Sequence, residues 1–182
     1  MGRLYYITGG AGSGKSEYAE QLAERLHAEL GGPLYYVATM NPAPRDSDAA
    51  ARIAKHQTRR AGRGYTTIEC PTNIAQLRTQ ALENAVFLLE DLTNLYANEV
   101  YGTSGHPHEI VAPLLELSQQ AGAVIIVANE LYSDGIDYGP ETDRFLRDLA
   151  GIAAALSNAA DQVTEVVYGI PVQLKGVLCS IH

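Results

Sequence analysis

A three-layer α/β fold, with a mostly parallel central sheet between layers of helix, follows from three features of this 182-residue chain. Short apolar runs of strand length alternate with amphipathic stretches of helix length, the order that builds βαβ units. The first run, Leu4–Tyr5–Tyr6–Ile7, leads directly into Gly9–Ser16, which reads GGAGSGKS and opens a helical pattern. The last two extended segments are joined by so short a turn that they must pair antiparallel, which adds an antiparallel pair at the C-terminus. The length suits one domain spanning residues 1–182.

Taken in order, Leu4–Ile7 is the first strand. Lys15–Leu30 is the first helix, because Tyr18, Leu22, Ala23, Leu26 and Leu30 recur at helical spacing, and Gly31-Gly32-Pro33 stops it. Leu34–Ala38 reads as a second strand. After the loop Asn41-Pro42-Ala43-Pro44, Asp46 or Ser47 can cap a helix running to about Arg60. Arg63-Gly64 breaks the chain before Tyr65–Glu69, a short extended segment. Asn73–Ala85 carries a helical pattern, and Val86–Glu90 (VFLLE) is an apolar strand that ends in a carboxylate. Asn94–Tyr101 reads as helix, Gly102–Pro107 as loop and Glu109–Ala121 as helix. Ala123–Ala128 (AVIIVA) is a β-branched core strand, and Asn129–Gly139 an irregular loop. An alanine-rich helix follows from about Pro140 to Ala160. Gln162–Tyr168 and Val172–Lys175, flanking Gly169-Ile170-Pro171, close the chain. There is no internal repeat, low-complexity tract or linker.

Composition narrows the function. The chain is 46% hydrophobic and 19% charged, ordinary for a soluble globular protein. Its net charge of −8 argues against broad nucleic-acid binding, which needs a basic face. It has no apolar stretch long enough to span a bilayer and no signal-peptide pattern at the N-terminus. Cys70 and Cys179, far apart, suit reduced thiols, so the expected compartment is the cytoplasm.

Gly9–Ser16 matches G-x-x-x-x-G-K-S with a strand before it and a helix after it. Glycines let successive backbone N–H groups converge on a phosphate, the helix adds its positive end, and Lys15 reaches the β- and γ-phosphates. Ser16 is placed to ligate Mg²⁺, for which a carboxylate at a neighbouring strand end is the usual partner. Glu90-Asp91 and Glu130 qualify, since the carboxyl ends of parallel strands share one rim; as a plain alternative they are solvated loop residues. On a helix, Arg52, His56 and Arg59 or Arg60 fall on one face. Such a stripe is commonly just a soluble surface. It also fits phosphate-binding guanidinium groups around an imidazole kept neutral by nearby cations, and a neutral imidazole can attack phosphorus.

Together, GGAGSGKS, AARIAKHQTRR, LLEDLTNLYANE, IIVANE and AADQVTEVVYGIPVQLK resemble, in this order and over nearly the whole chain, a known family. It is that of the bifunctional adenosylcobinamide kinase/adenosylcobinamide-phosphate guanylyltransferases of cobalamin biosynthesis (the CobU/CobP family). The phosphate loop alone is shared by many kinases; the R-I-x-x-H, N-E and G-I-P elements are more specific. The resemblance implies a P-loop NTPase (RecA-like) fold and two reactions. The terminal amino-propanol hydroxyl of adenosylcobinamide is phosphorylated from ATP or GTP. GMP from GTP then passes through a histidine–GMP adduct to that phosphate, giving adenosylcobinamide-GDP. It further implies that His56 is the guanylylated residue and that Lys15 serves catalysis. Nucleotide contacts would come from Gly9, Gly10, Ala11, Gly12, Ser13, Gly14, Lys15, Ser16, Thr39, Met40, Asn41, Arg52, Gln57, Thr58, Arg59, Arg60, Glu69 and Glu90. Ser16 and Glu90 would hold Mg²⁺, and the assembly would be a homotrimer.

Three departures from the family pattern leave the nucleotide site untouched but alter any helper role of the nucleophile's neighbour and the details of corrinoid contact. Lys55 stands where some relatives have a second histidine. The loop after Asn129-Glu130, LYSDGIDYGPET, is long, and Ala153–Ala155 replaces a more polar stretch. Tyr132, Asp134 and Tyr138 either line a corrinoid site or decorate a solvated loop. Two other functions fit the phosphate loop: a small-alcohol kinase in which His56 is structural, and a non-catalytic nucleotide-binding regulator. Retention of both Lys15 and His56 counts against the regulator.

Overall fold

The structure, a computed structural model, describes residues 2–40, 62–80, 82–102, 109–132 and 135–177. Seven strands form one sheet: β1 (Arg3–Gly9), β2 (Leu34–Ala38), β3 (Tyr65–Glu69), β4 (Val86–Glu90), β5 (Ala123–Asn129), β6 (Gln162–Val167) and β7 (Ile170–Lys175). Their spatial order is β3-β2-β4-β5-β1-β6-β7. Every pairing is parallel except β6 with β7. One strand, β5, thus separates the loop-bearing β1 from the carboxylate-bearing β4, the RecA-like arrangement of a P-loop NTPase.

The four helices are α1 (Lys15–Leu30), α2 (Leu92–Tyr101), α3 (Val111–Gln120) and α4 (Pro140–Ala159), counted among the described residues. The central strands are apolar on both faces because both are covered. On β1, Tyr5 and Ile7 pack with Leu22 and Leu26 of α1 on one face. Leu4 and Tyr6 face the other way, into a core shared with Leu95 of α2, Leu114 of α3 and Leu156 of α4. Layered burial of this kind sets the strand order's geometry, and it brings the ends of β1, β2, β4 and β5 to one rim.

Most elements lie where the pattern placed them, and β2, β3 and β4 agree residue for residue. The helix expected over Asn73–Ala85 is not formed. Only a 3-10 helix, Ile74–Thr79, appears there, preceded by Asn73 at φ 53° and followed by Asn84 at φ 54°. Its two buried residues, Ile74 and Leu77, are three apart, which one short turn satisfies as well as a long helix. The final hairpin is also tighter than expected. Ile170 and Pro171 belong to β7, and the turn is Tyr168-Gly169, with φ values of 50° and 79°. Two successive positive φ values match the twist of a two-residue hairpin, and Pro171 is tolerated because β7 is an edge strand.

Candidate active site

The rim begins with the phosphate loop. Gly12 (φ 69°) and Gly14 (φ 93°) hold left-handed conformations that a side chain would resist. Ser13 N–H donates to the Gly10 carbonyl at 3.2 Å, closing the loop, and Tyr18 N–H donates to Gly14 at 3.0 Å to start α1. Gly10, Ala11 and Gly12 are exposed, Ser16 is half-buried, and the Ser13 hydroxyl is buried without a hydrogen-bond partner. Open amides beside an unsatisfied hydroxyl suit an anionic oxygen ligand. The Lys15 ammonium folds back to the Gly10 carbonyl at 3.0 Å, with only 7% of the residue exposed. Burial lowers its pKa, and the charges of Asp91 and then Glu90 oppose that fall.

The β6–β7 turn braces this loop from the side. Gly169 N–H donates to the Ser13 carbonyl at 2.7 Å, and a Cβ on Gly14 would stand 3.2 Å from Gly169 Cα. Sequence reasoning did not foresee this contact, although the G-I-P element marks its position.

Opposite the loop stand the strand-end carboxylates. Ala38 is level with both Glu69 on β3 and Glu90 on β4, while Gly9 is level with Asn129 on β5. Glu69 is exposed; Glu90 is half-buried and accepts from the Tyr36 hydroxyl at 3.1 Å. Glu130 is tied to the loop strand through its N–H, which donates to the Gly9 carbonyl at 3.1 Å. Thr39 is fully buried, and its hydroxyl donates to the Asp91 carbonyl at 2.8 Å while its N–H donates to the Glu90 main-chain carbonyl at 3.2 Å. Its part is therefore to hold the Glu90–Asp91 backbone, and Asn98 in turn donates to the Thr39 carbonyl at 2.7 Å. Met40, half-buried, follows on the same rim.

Asp91 plays a part that the sequence left unassigned within the Glu90-Asp91 pair. It caps α2, accepting from Asn94 N–H at 2.7 Å, and its second oxygen accepts from the Asn129 side chain at 3.2 Å. Burial pushes its carboxyl above the usual carboxylate range; the Asn94 N–H works against that shift, Glu90 adds to it, and Lys15 and Asn129 pull it back. The helix starts at Leu92, two residues before the Asn94 expected from the sequence, and this places Asp91 at the N-cap, a position aspartate favours.

The remaining candidates, Asn41, Arg52, His56, Gln57, Thr58, Arg59 and Arg60, lie outside the described residues. The chain resumes beyond them at a fixed point: Arg63 forms ion pairs with Glu20 at 3.0 Å and Glu24 at 2.7 Å, both on α1. Among the described residues, no cluster of three or more His, Cys, Asp or Glu could enclose a metal ion. The donors present, Ser16 with Glu90 or Asp91, fit instead a Mg²⁺ carried mainly by nucleotide phosphates and water.

A phosphate loop facing a carboxylate pair is shared by many enzymes, so the comparison with known proteins decides between them. The family model for cobinamide kinase / cobinamide phosphate guanyltransferase matches residues 5–174. This chain belongs to that family. Its curated relatives include the bifunctional adenosylcobalamin biosynthesis protein CobP of Pseudomonas aeruginosa, 32% identical over 175 residues, covering 93% of this chain and 96% of the relative. Two more, each named bifunctional adenosylcobalamin biosynthesis protein CobU, come from Salmonella typhimurium (31% identical) and Escherichia coli (32%). Each covers 94% of this chain and 99% of the relative. Among solved structures, the flagellar accessory protein FlaH of Methanocaldococcus jannaschii is similar in fold, with a TM-score of 0.56 at 14% identity. That match covers 96% of this chain and 78% of FlaH. The phosphate loop, the strand-end carboxylates and the hairpin brace described above are thus features of a kinase/guanyltransferase family member.

Proposed function

We propose that this chain phosphorylates adenosylcobinamide and then transfers GMP from GTP to the resulting phosphate, giving adenosylcobinamide-GDP. The observation that carries the reading is family membership over 5–174 combined with a fully built phosphate loop facing Glu90 and Asp91. In the kinase step the acceptor hydroxyl oxygen attacks the γ-phosphorus of the triphosphate. The bond from γ-phosphorus to the β–γ bridging oxygen breaks, a nucleoside diphosphate leaves, and the hydroxyl proton departs to the rim carboxylates or water. Lys15, the loop amides and the start of α1 hold the phosphates in line, so positioning and charge compensation are the protein's main contribution. A Mg²⁺ held by Ser16 and Glu90 would neutralise charge on the β- and γ-oxygens.

In the transfer step a neutral imidazole nitrogen of His56 attacks the α-phosphorus of GTP and pyrophosphate leaves. A phosphate oxygen of adenosylcobinamide phosphate then attacks that phosphorus, the P–N bond breaks, and the imidazole is released. Arg52, Arg59 and Arg60 would offset charge on the α-phosphate, and Asn41, Gln57 and Thr58 would add nucleotide contacts. The same reading makes the protein a cytoplasmic homotrimer. Mass analysis of the corrinoid after incubation with ATP, and then with GTP, tests it. Gain of one phosphoryl group and then one guanylyl group is expected. Phosphorylation without guanylylation would instead favour the plain small-alcohol kinase.

A further inference from the structure

We infer that the cleft between α2, α3 and α4 is the seat of the corrinoid ring, an inference that rests on the proposed function. The cleft has a volume of about 640 Å³, within the range of sites for cofactor-sized ligands. Its floor is aromatic. Phe145 of α4 lies against Tyr96 (ring centroids 4.9 Å apart) and against Tyr101 (5.8 Å, planes 22° apart). Tyr101 is 61% exposed although one ring face rests on Phe145, so a braced aromatic platform is presented to the cleft. Val100 adds apolar surface beside it.

The walls are polar and of mixed charge, with the carboxylates Glu141 and Asp148 beside two guanidinium groups. Arg144 and Arg147 line the same cleft as the aromatic floor, and Arg144 is held near Asp148 at 3.7 Å. A corrinoid presents a broad apolar ring and a periphery of amide side chains. Aromatic faces suit the first, and guanidinium donors suit the amide carbonyls of the second.

Placement joins the cleft to the chemistry. One helix, α2, serves both: Asp91, its N-cap, stands on the rim at the end of β4, while Tyr96 and Tyr101 floor the cleft. At 1.5 Å per residue, Tyr96 is about 8 Å and Tyr101 about 15 Å along the helix from that cap. The hydroxyl that accepts phosphate ends a flexible arm of cobinamide, so a ring bound here can deliver it to the rim.

The test measures KM for adenosylcobinamide in the kinase reaction, KM for the nucleotide, and assembly mass by sedimentation. It compares wild type with Tyr101→Ala and Tyr101→Phe. The inference predicts about a tenfold rise in corrinoid KM for Tyr101→Ala, near-wild-type values for Tyr101→Phe, and unchanged nucleotide KM and mass. An unchanged corrinoid KM in Tyr101→Ala overturns it. A change in assembly mass with loss of all activity overturns it too, because the cleft is then an interface between copies of this chain. If wild type itself neither binds nor phosphorylates adenosylcobinamide, the proposed function falls and the inference goes with it.

Discussion

Replacing Asp91 separates two tasks that one carboxylate performs. In Asp91→Ala the α2 cap is lost, which costs about 1 kcal/mol in typical helices. Loss of the hydrogen bond to the Asn129 amide adds about 1 kcal/mol, limited because Asn129 is only half-buried and can recover water. The sum of about 2 kcal/mol lowers the melting temperature by about 4–8 °C for a chain of this size. Asp91→Asn keeps an oxygen for the Asn94 N–H and so keeps the cap, since Asn and Asp cap equally well. Both variants remove the negative charge that raises the Lys15 pKa, so Lys15 loses its proton at lower pH and nucleotide affinity declines earlier on the alkaline side. Urea unfolding and nucleotide titrations across pH measure the two effects. Equal stability of the Ala and Asn variants would refute the capping account, and an unshifted alkaline limb in both would refute the coupling to Lys15.

Three further outcomes follow. Because the Asp91 carboxyl is raised above its ordinary 3.8, its burial penalty is full above the raised value and fades as pH falls through it. Wild type is therefore less stable than Asp91→Asn near neutrality by its buried-charge term, and the gap closes on acidification; a gap that widens in acid contradicts the sign. Lys15→Met removes a cation whose charged form burial disfavours, so the nucleotide-free protein should melt no lower than wild type while phosphoryl transfer falls by at least about a hundredfold. Gly14→Ala forces a side chain onto φ 93° and to within 3.2 Å of Gly169 Cα. It should cost about 1–3 kcal/mol and loosen the loop, visible as weaker triphosphate binding in calorimetry; wild-type affinity would speak against the brace.

Much of this architecture was legible because short apolar strands bounded by Gly, Pro and carboxylates leave little choice of ends. Leu34–Ala38, Tyr65–Glu69 and Val86–Glu90 are of that kind. The stretch from Asn73 to Ala85 was not, since Ile74 and Leu77 satisfy a helical spacing while the left-handed Asn73 and Asn84 carry no apolar signal. At the site, the glycine spacing announced the loop, and the parallel order announced which carboxylates would share its rim. The division between Glu90 and Asp91 could not be read from adjacent acidic residues. It depends on which side chain turns into the core, capping α2, and which reaches Tyr36. The brace by Gly169 is likewise a contact between segments more than a hundred and fifty residues apart, invisible to local pattern.

The central claim is transfer of GMP through His56, and it is tested most directly with GTP labelled at the α-phosphate. Wild type and His56→Ala are incubated with label and Mg²⁺, denatured, and counted before and after a chase with adenosylcobinamide phosphate. The account predicts acid-labile label on wild type that the chase moves to the corrinoid, and none on His56→Ala. Unlabelled wild type that still binds GTP, or equal label on both proteins, would contradict it.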